Sequence, residues 1–280
     1  MANMKNGKLR ALCAAALAAG GAAAVQRLLD RRPPAGSWTR TSYSGADVSL
    51  TEGAAAAGGV ALGLCALPGK ARLGALAAVA AAGVAGAVDD HFEDRFPARG
   101  KGFAGHLGAL REGRMTSGVL KIGLISAGAG VGALGLPRRG GGFFRRGVAW
   151  AGQTALVAGA ANFVNLLDLR PGRALKANGL AAAGLIGAGG APSILAAGVL
   201  GASAPCLPGD LSGATMLGDL GANALGAATG LAAASVRCES ARWAALAGIV
   251  ALTLASERVS FSKVIEGNPV LARIDRLGRA

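Results

Sequence analysis

The chain is dominated by one recurring feature: long Ala/Gly-rich apolar runs separated by short segments that carry nearly all of the charge. The runs fall at residues 9–26, 54–69, 71–88, 117–136, 147–168, 177–190, 192–205, 214–235 and 241–256. A run of this kind buries itself in lipid or in a helical core, and charge confined to its flanks is the pattern of a polytopic membrane protein. Hydrophobic residues make up 52% of the chain and charged residues 16%, too few charges for an ordinary soluble protein of 280 residues. Mean hydropathy is +0.45. The 47 glycines and abundant alanines weaken each run's hydropathy but let helices approach closely. We therefore expect an all-α polytopic membrane protein of about nine to ten transmembrane helices. Residues 1–256 form a single helical domain, followed by a cytoplasmic tail, amphipathic or solvated, at 257–280. A turn at Gly189, Gly190, Ala191 and Pro192 divides two of the runs.

The net charge of +14 raises the question of nucleic acid. The basic residues flank apolar runs and lack aromatic interleaving, so no nucleic-acid partner is expected. Basic flanks suit anionic headgroups and anionic ligands instead. The four cysteines, Cys13, Cys65, Cys206 and Cys238, show no metal-ligand spacing and read as small packing residues. With alternating spans, the loops on the C-terminal side hold the larger share of Lys and Arg, which makes that side cytoplasmic. The basic segment Pro137–Arg146 falls on the other side.

The polar residues at the run ends carry the chemistry. Asn162, Asn165 and Asp168 recur at a spacing of three and so share one helical stripe at the end of an apolar run. Two amides and a carboxylate there are costly unless they bind something. The chain turns at Pro171 and Gly172 and then supplies Arg170, Arg173 and Lys176 around the turn, donors suited to phosphate. Asp89 and Asp90 follow another run and repel each other unless a cation or basic ligand sits between them. Asp219 opens a later Ala/Gly/Leu helix inside Gly218-Asp219-Leu220-Gly221, where glycines permit close approach. Lys101, His106 and the segment Arg114–Lys121 follow the Asp pair and are expected near phosphate or headgroup. The loop 27–53 is expected to complete the same face. Carboxylate and amide oxygens together suit Mg²⁺, and Mg²⁺ with basic side chains suits phosphoryl transfer.

The Asp pair after a membrane helix, the Asn-x-x-Asn-x-x-Asp helix end and the later Gly-Asp-x-Gly helix start, in this order, resemble the polyprenyl-phosphate sugar-1-phosphate transferases. These are the relatives of phospho-N-acetylmuramoyl-pentapeptide transferase and of the N-acetylglucosamine-1-phosphate transferases. The resemblance covers roughly residues 30–235. It implies a Mg²⁺-dependent enzyme of cell-envelope glycan synthesis that joins a sugar-1-phosphate from a UDP-sugar to polyprenyl phosphate and releases UMP. It implies catalytic roles for Asp89, Asp90 and Asp168, metal contacts from Asn165 and Asp219, and substrate contacts from Asn162, Lys101, His106, Arg170, Arg173 and Lys176. Expected partners are polyprenyl phosphate, a UDP-sugar and the bilayer, with monomer or homodimer left open. The expected location is a bacterial plasma membrane, active face cytoplasmic.

The chain departs from the family pattern in three places. Leu169 follows Asp168 where glycine is usual, Ala222 stands where serine is usual, and no late histidine-rich loop is present. These departures keep open a second reading, a member that binds polyprenyl phosphate or an envelope partner as a scaffold without turnover. A transporter is the third reading, disfavoured because the polar motifs cluster at one face rather than at mid-membrane.

Overall fold

The computed structural model describes residues 2–34, 38–42, 45–92, 95–96, 105, 108–109, 111–113, 115–137, 140 and 142–279. Among the described residues the fold is all-α apart from one small hairpin. Each of the nine apolar runs lies largely within a helix: α1 (Ala2–Arg31), α2 (Thr51–Gly63), α3 (Gly69–Phe92), α4 (Ser117–Leu134), α5 (Phe143–Leu167), α6 (Arg173–Ile186), α7 (Gly190–Leu211), α8 (Gly218–Ala234) and α9 (Glu239–Ser256). Alanine, the strongest helix former, is the commonest residue in these helices, and most of the breaks carry glycine or proline. Gly189 and Gly190 take positive φ between α6 and α7, as the turn signal there predicts. The tail is not an extended chain. It forms α10 (Phe261–Gly267) and α11 (Pro269–Arg276), the latter capped by Asn268, whose side chain accepts from the Val270 and Leu271 N–H groups with Pro269 in the first turn.

Among the described residues four helices are long and apolar enough to cross a membrane: α1, α3, α4 and α7. A fifth qualifies if α9 and α10, bent by 93°, count as one broken span. The other runs form helices too, but α2, α6 and α8 are short, at 13, 14 and 17 residues. A straight span needs about 20 residues, so length and hydropathy alone support fewer spans than the count of apolar runs.

Helix α8 is the centre of the bundle. It packs against α2, α3, α5 and α7, and nearly every residue from Gly221 to Ala234 is buried. Pairs of glycines four apart make these contacts close. Gly226 and Gly230 lie against the backbone of α5 at Ala160, Ala161 and Val157. Gly128 and Gly132 of α4 do the same against α3, and Gly59 and Gly63 of α2 against α1. With little hydrophobic drive between helices in lipid, such small-residue seams supply the van der Waals contact that holds a bundle together. Helix α9 has no buried residue and packs chiefly along α5, leaving Val250, Leu252 and Leu254 exposed.

The hairpin, β1 (Thr39–Thr41) with β2 (Asp47–Ser49), closes one end of the bundle. Ser49 bridges to the loop before α8: its N–H donates to the Ala214 carbonyl at 3.1 Å, and its carbonyl accepts from Met216 N–H at 2.9 Å. The hairpin is thereby held over the ends of α3, α5 and α7 and the start of α8.

Candidate functional site

At that end four segments distant in sequence meet on one ammonium group. Lys121 Nζ of α4 donates to Asp89 Oδ2 of α3 at 3.1 Å and also contacts Asp219 Oδ2 of α8 closely. Asn165 of α5 joins them. With its amide oriented to suit both neighbours, the nitrogen donates to Asp219 Oδ1 at 2.9 Å and the oxygen accepts from Lys121 Nζ at 2.9 Å. All three charged side chains are largely buried, Lys121 being 12% exposed. Ion pairs this shielded are screened weakly by solvent and hold definite geometry. Lys121 stands five residues after Thr116, whose hydroxyl caps α4 by accepting from Val119 N–H at 3.1 Å.

Asp90 has a different task from its neighbour. Its side chain is 1% exposed, and its two oxygens accept from the backbone N–H groups of Asp219 (3.1 Å) and Leu220 (2.9 Å). It therefore caps the central helix from outside, satisfying donors that the first turn leaves orphaned. Arg40 of the hairpin adds a 3.3 Å contact to the same carboxylate. Gly218, with φ +60°, makes room for this cap: a side chain there would meet the Asp90 carboxylate at 3.0 Å. Asp90→Ala is expected to lower stability by about 1–2 kcal/mol, with Asp90→Asn losing less because one oxygen still accepts. Thermal unfolding in detergent checks the order of the two variants.

Beside this cluster opens a cleft of about 410 Å³. Asn165, Asp168, Asp210 and Asp219 lie in its wall, and Arg40 and Arg170 also line it, so one cavity carries both signs of charge. Asp168 ends α5 as its C-cap, 6% exposed. Its buried Oδ2 has no hydrogen-bond partner among the described residues. Asp210, at the end of α7, likewise has a buried Oδ2 without a partner among the described residues. Glu52 of α2, 1% exposed, accepts a close hydrogen bond from the Thr215 hydroxyl and leaves Oε1 unpartnered. Buried carboxylate oxygens without donors are costly and call for a cation or N–H and O–H donors from a ligand.

The unpartnered carboxylate oxygens of Asp168 and Asp210 fit a hard cation in kind. Among the described residues no three His, Cys, Asp or Glu side chains are placed to hold an ion by themselves. A cation here would draw remaining ligands from a bound phosphate, as Mg²⁺ commonly does. Asn165 and Asp219, expected as metal ligands, are both engaged by Lys121.

The basic residues after the Pro171 turn separate into two groups. Arg170 lines the cleft and pairs with Glu266 of the tail at 2.5 Å. Arg173 and Lys176 do not line it. Buried Arg173 holds Asp275 of α11 through two bonds, Nε at 2.8 Å and Nη2 at 3.0 Å, and donates from Nη1 to Ser262 at 2.9 Å. Lys176 Nζ donates to the carbonyls of Asp275 (2.5 Å) and Leu277 (3.1 Å). Arg279 closes the knot by reaching Asp275 at 2.8 Å and the Pro171 carbonyl at 2.8 Å. Expected as substrate contacts, Arg173 and Lys176 instead bind the tail, because Asp275 presents a carboxylate of the geometry that a guanidinium fork matches. Asn162 sits one turn from Asn165 on α5, half-buried and outside the cleft lining. Lys101 and His106 lie outside the described residues.

The tail's attachment has a pH signature. Burial pushes the Asp275 carboxyl up, but hydrogen bonds and charge from Arg173, then Arg279, outweigh it and hold the group below its usual range. A carboxyl depressed in the folded state stabilises fully above its unfolded value and is lost as pH falls through the folded value. Tail docking is therefore expected to persist across neutral and mildly acidic pH and to fail only below the ordinary aspartate value of about 3.9. Arg173→Ala should release it at neutral pH. Limited proteolysis within 258–279 reads both outcomes.

No family model and no curated protein matches this chain.

Sequence reasoning placed Asn165, Asp168, Asp219 and Arg170 at what is now the cleft wall, with Asp89 and Asp90 behind it. It left out of the site Arg40, Glu52 and Asp210, and took Lys121 only as a residue near phosphate. Each is a charged residue at the edge of an apolar run or in a short loop, and a lone charge at a run boundary is the signal that marks them.

Proposed function

We propose that this protein transfers a sugar-1-phosphate from a UDP-sugar to polyprenyl phosphate, with Mg²⁺, at the cytoplasmic face of a bacterial plasma membrane. The observation that carries the reading is the cleft itself. Buried carboxylates with unpartnered oxygens and two arginines line one cavity, beside the Asp89–Lys121–Asp219–Asn165 cluster. The bias of basic residues supports the cytoplasmic assignment, and the nine helices α1–α9 are read as crossing or lining the bilayer, including those shorter than a straight span.

In this reading an oxygen of the lipid phosphate attacks the sugar-linked phosphorus of the UDP-sugar. The bond from that phosphorus to the bridging oxygen breaks, and UMP leaves with the electron pair. Mg²⁺, when bound, supplies neutralisation of the diphosphate charge. Asp168 and Asp210 offer their unpartnered oxygens to hold it. Arg40 and Arg170 bind and orient phosphate oxygens from the cleft wall. Lys121 fixes Asp219 and Asn165 in place and adds positive charge beside the reacting groups. Asp90 is a positioning residue, setting where α8 begins. Electrostatic placement of this kind is the main source of rate in phosphoryl transfer.

The second reading, lipid binding without turnover, is favoured by one observation: Lys121 engages Asp219 and Asn165, the two residues to which the family resemblance gives metal contacts. One assay separates them. Purified protein in detergent is mixed with polyprenyl phosphate, Mg²⁺ and a panel of UDP-sugars, and UMP release is followed with and without chelator. Chelator-sensitive release with one donor is the expected result. Folded, lipid-binding protein that releases no UMP from any donor would overturn the transferase and leave the scaffold.

A further inference from the structure

The C-terminal helices have two faces, and only one is used by the protein. Ser262, Ala272 and Asp275 turn inward, where Arg173 takes the Ser262 hydroxyl and the Asp275 carboxylate. Phe261 joins them edge-on against Phe163 of α5, ring centroids 6.1 Å apart. The opposite face is apolar and open. Val270 is 66% exposed, Ile274 53% and Leu277 69%, with Val264 on α10 at 47%. On α11 the first two are four residues apart and Leu277 three further on, so they form one stripe. A stripe this open on so short a helix has no intramolecular reason to be apolar.

Three further observations say what covers it. The outward charge is positive: Lys263, Arg273 and Arg276 are exposed, whereas Glu266 is spent on Arg170 and Asp275 on Arg173. The stripe follows α9 along the chain, and Val250, Leu252 and Leu254 of α9 are likewise exposed along a helix with no buried residue. Finally, α10 leaves α9 at 93°. If α9 runs along the membrane normal, α10 lies in the membrane plane, at the level where the apolar belt ends.

We propose that α10 and α11 dock on the anionic surface of the bilayer. Val264, Val270, Ile274 and Leu277 enter the boundary between headgroups and acyl chains, and Lys263, Arg273 and Arg276 meet anionic headgroups. The inward face stays clamped to Arg173, Lys176 and Arg170, so the surface-bound tail also holds the rim of the cleft. The inference rests on the reading of the chain as a membrane protein but not on its activity.

The test is lipid-borne quenching of a site-specific fluorophore on the full chain. The exposed Cys13, Cys65 and Cys238 are replaced by alanine, and one cysteine is introduced, by Ile274→Cys on the stripe or by Leu254→Cys on α9. Each protein is reconstituted in phosphatidylcholine vesicles with or without phosphatidylglycerol, carrying brominated lipid. The Ile274→Cys probe is expected to be quenched, about two-fold more strongly with the anionic lipid, and Arg273→Gln with Arg276→Gln should remove that difference. Quenching of the Leu254→Cys probe with none at Ile274→Cys, and free access of aqueous iodide to the latter, would overturn the docking alone. Shielding of Ile274→Cys from both quenchers would assign the stripe to a second copy of the chain and overturn it too. Quenching at neither position with iodide reaching both would overturn the membrane reading as well.

Discussion

Asp219→Asn is expected to lower UMP release by on the order of 10³-fold while leaving the protein folded. The substitution preserves shape. An amide at this position still accepts from the Asn165 nitrogen, and the backbone N–H of residue 219 still donates to Asp90. What disappears is the charge that holds Lys121 between α3 and α8. Asp89 is then the one charged partner left to the ammonium in this cluster, with the Asn165 oxygen still accepting from it, and its position between α3 and α8 is no longer fixed. Phosphoryl transfer depends on groups held in place before reaction, so a freed Lys121 is a kinetic loss more than a binding one. The decline should therefore fall on kcat more than on KM. Lys121→Met probes the same cluster from the other side, and because it leaves Asp89 and Asp219 facing each other without a cation, it should also destabilise. Full activity in Asp219→Asn, measured as chelator-sensitive UMP release, would remove this cluster from the chemistry.

Gly86→Ala and Gly53→Ala are expected to destabilise the bundle by about 3 kcal/mol each, among the largest effects of adding a single methyl group. A Cβ on Gly86 of α3 would stand 2.2 Å from the Asp219 carbonyl oxygen and 2.3 Å from its carbon. On Gly53 of α2 it would stand 2.0 Å from the Leu217 carbonyl oxygen and 3.0 Å from Gly221 N. The obstacles are backbone atoms at the start of α8, which cannot rotate aside as a side chain can. Relief requires moving α8 away from α3 or α2, and the same movement draws Asp219 away from Lys121 and Asn165. Both variants should thus lose thermal stability and catalytic activity together. Gly184→Ala is the control: nothing lies within 4 Å of its Cβ, and alanine favours a helix, so stability should hold or rise slightly. Thermal midpoints in detergent, compared across the three variants, decide the matter. Near-normal stability in Gly86→Ala would mean that α3 and α8 are not held at this separation.

Much of the site was legible because its residues break a local pattern. Asn162, Asn165 and Asp168 interrupt an apolar run at helical spacing, and Asp219 stands alone at the head of an Ala/Gly helix; no packing information is needed to single these out. Lys121 is a lone charge of the same kind, yet its partner Asp219 is 98 residues away, and nothing near it in sequence announces the pairing. Asp89 and Asp90 illustrate the limit best. They are adjacent and chemically identical, but successive helical residues point in directions about 100° apart. One faces the ammonium of Lys121 and the other the free N–H groups of α8, and sequence treats them alike. Arg173 and Lys176 were expected to meet a phosphate, and in the structure both meet oxygen acceptors of the tail. The oxyanion on Arg173 is the protein's own Asp275, and Lys176 meets backbone carbonyls of the same tail.

Local properties of the chain determined its class. Hydropathy, helix propensity and the glycines at the breaks act over a few residues to a few turns, and they specify an all-α chain whose helices carry polar residues at their ends, without reference to any contact. Which ends meet, which glycine seams interlock, which carboxylate is a cap and which an ion-pair partner, and where the tail settles were decided only by tertiary structure. Those outcomes depend on backbone-to-backbone distances set when α8 is packed between α2, α3, α5 and α7, and no segment read alone contains them.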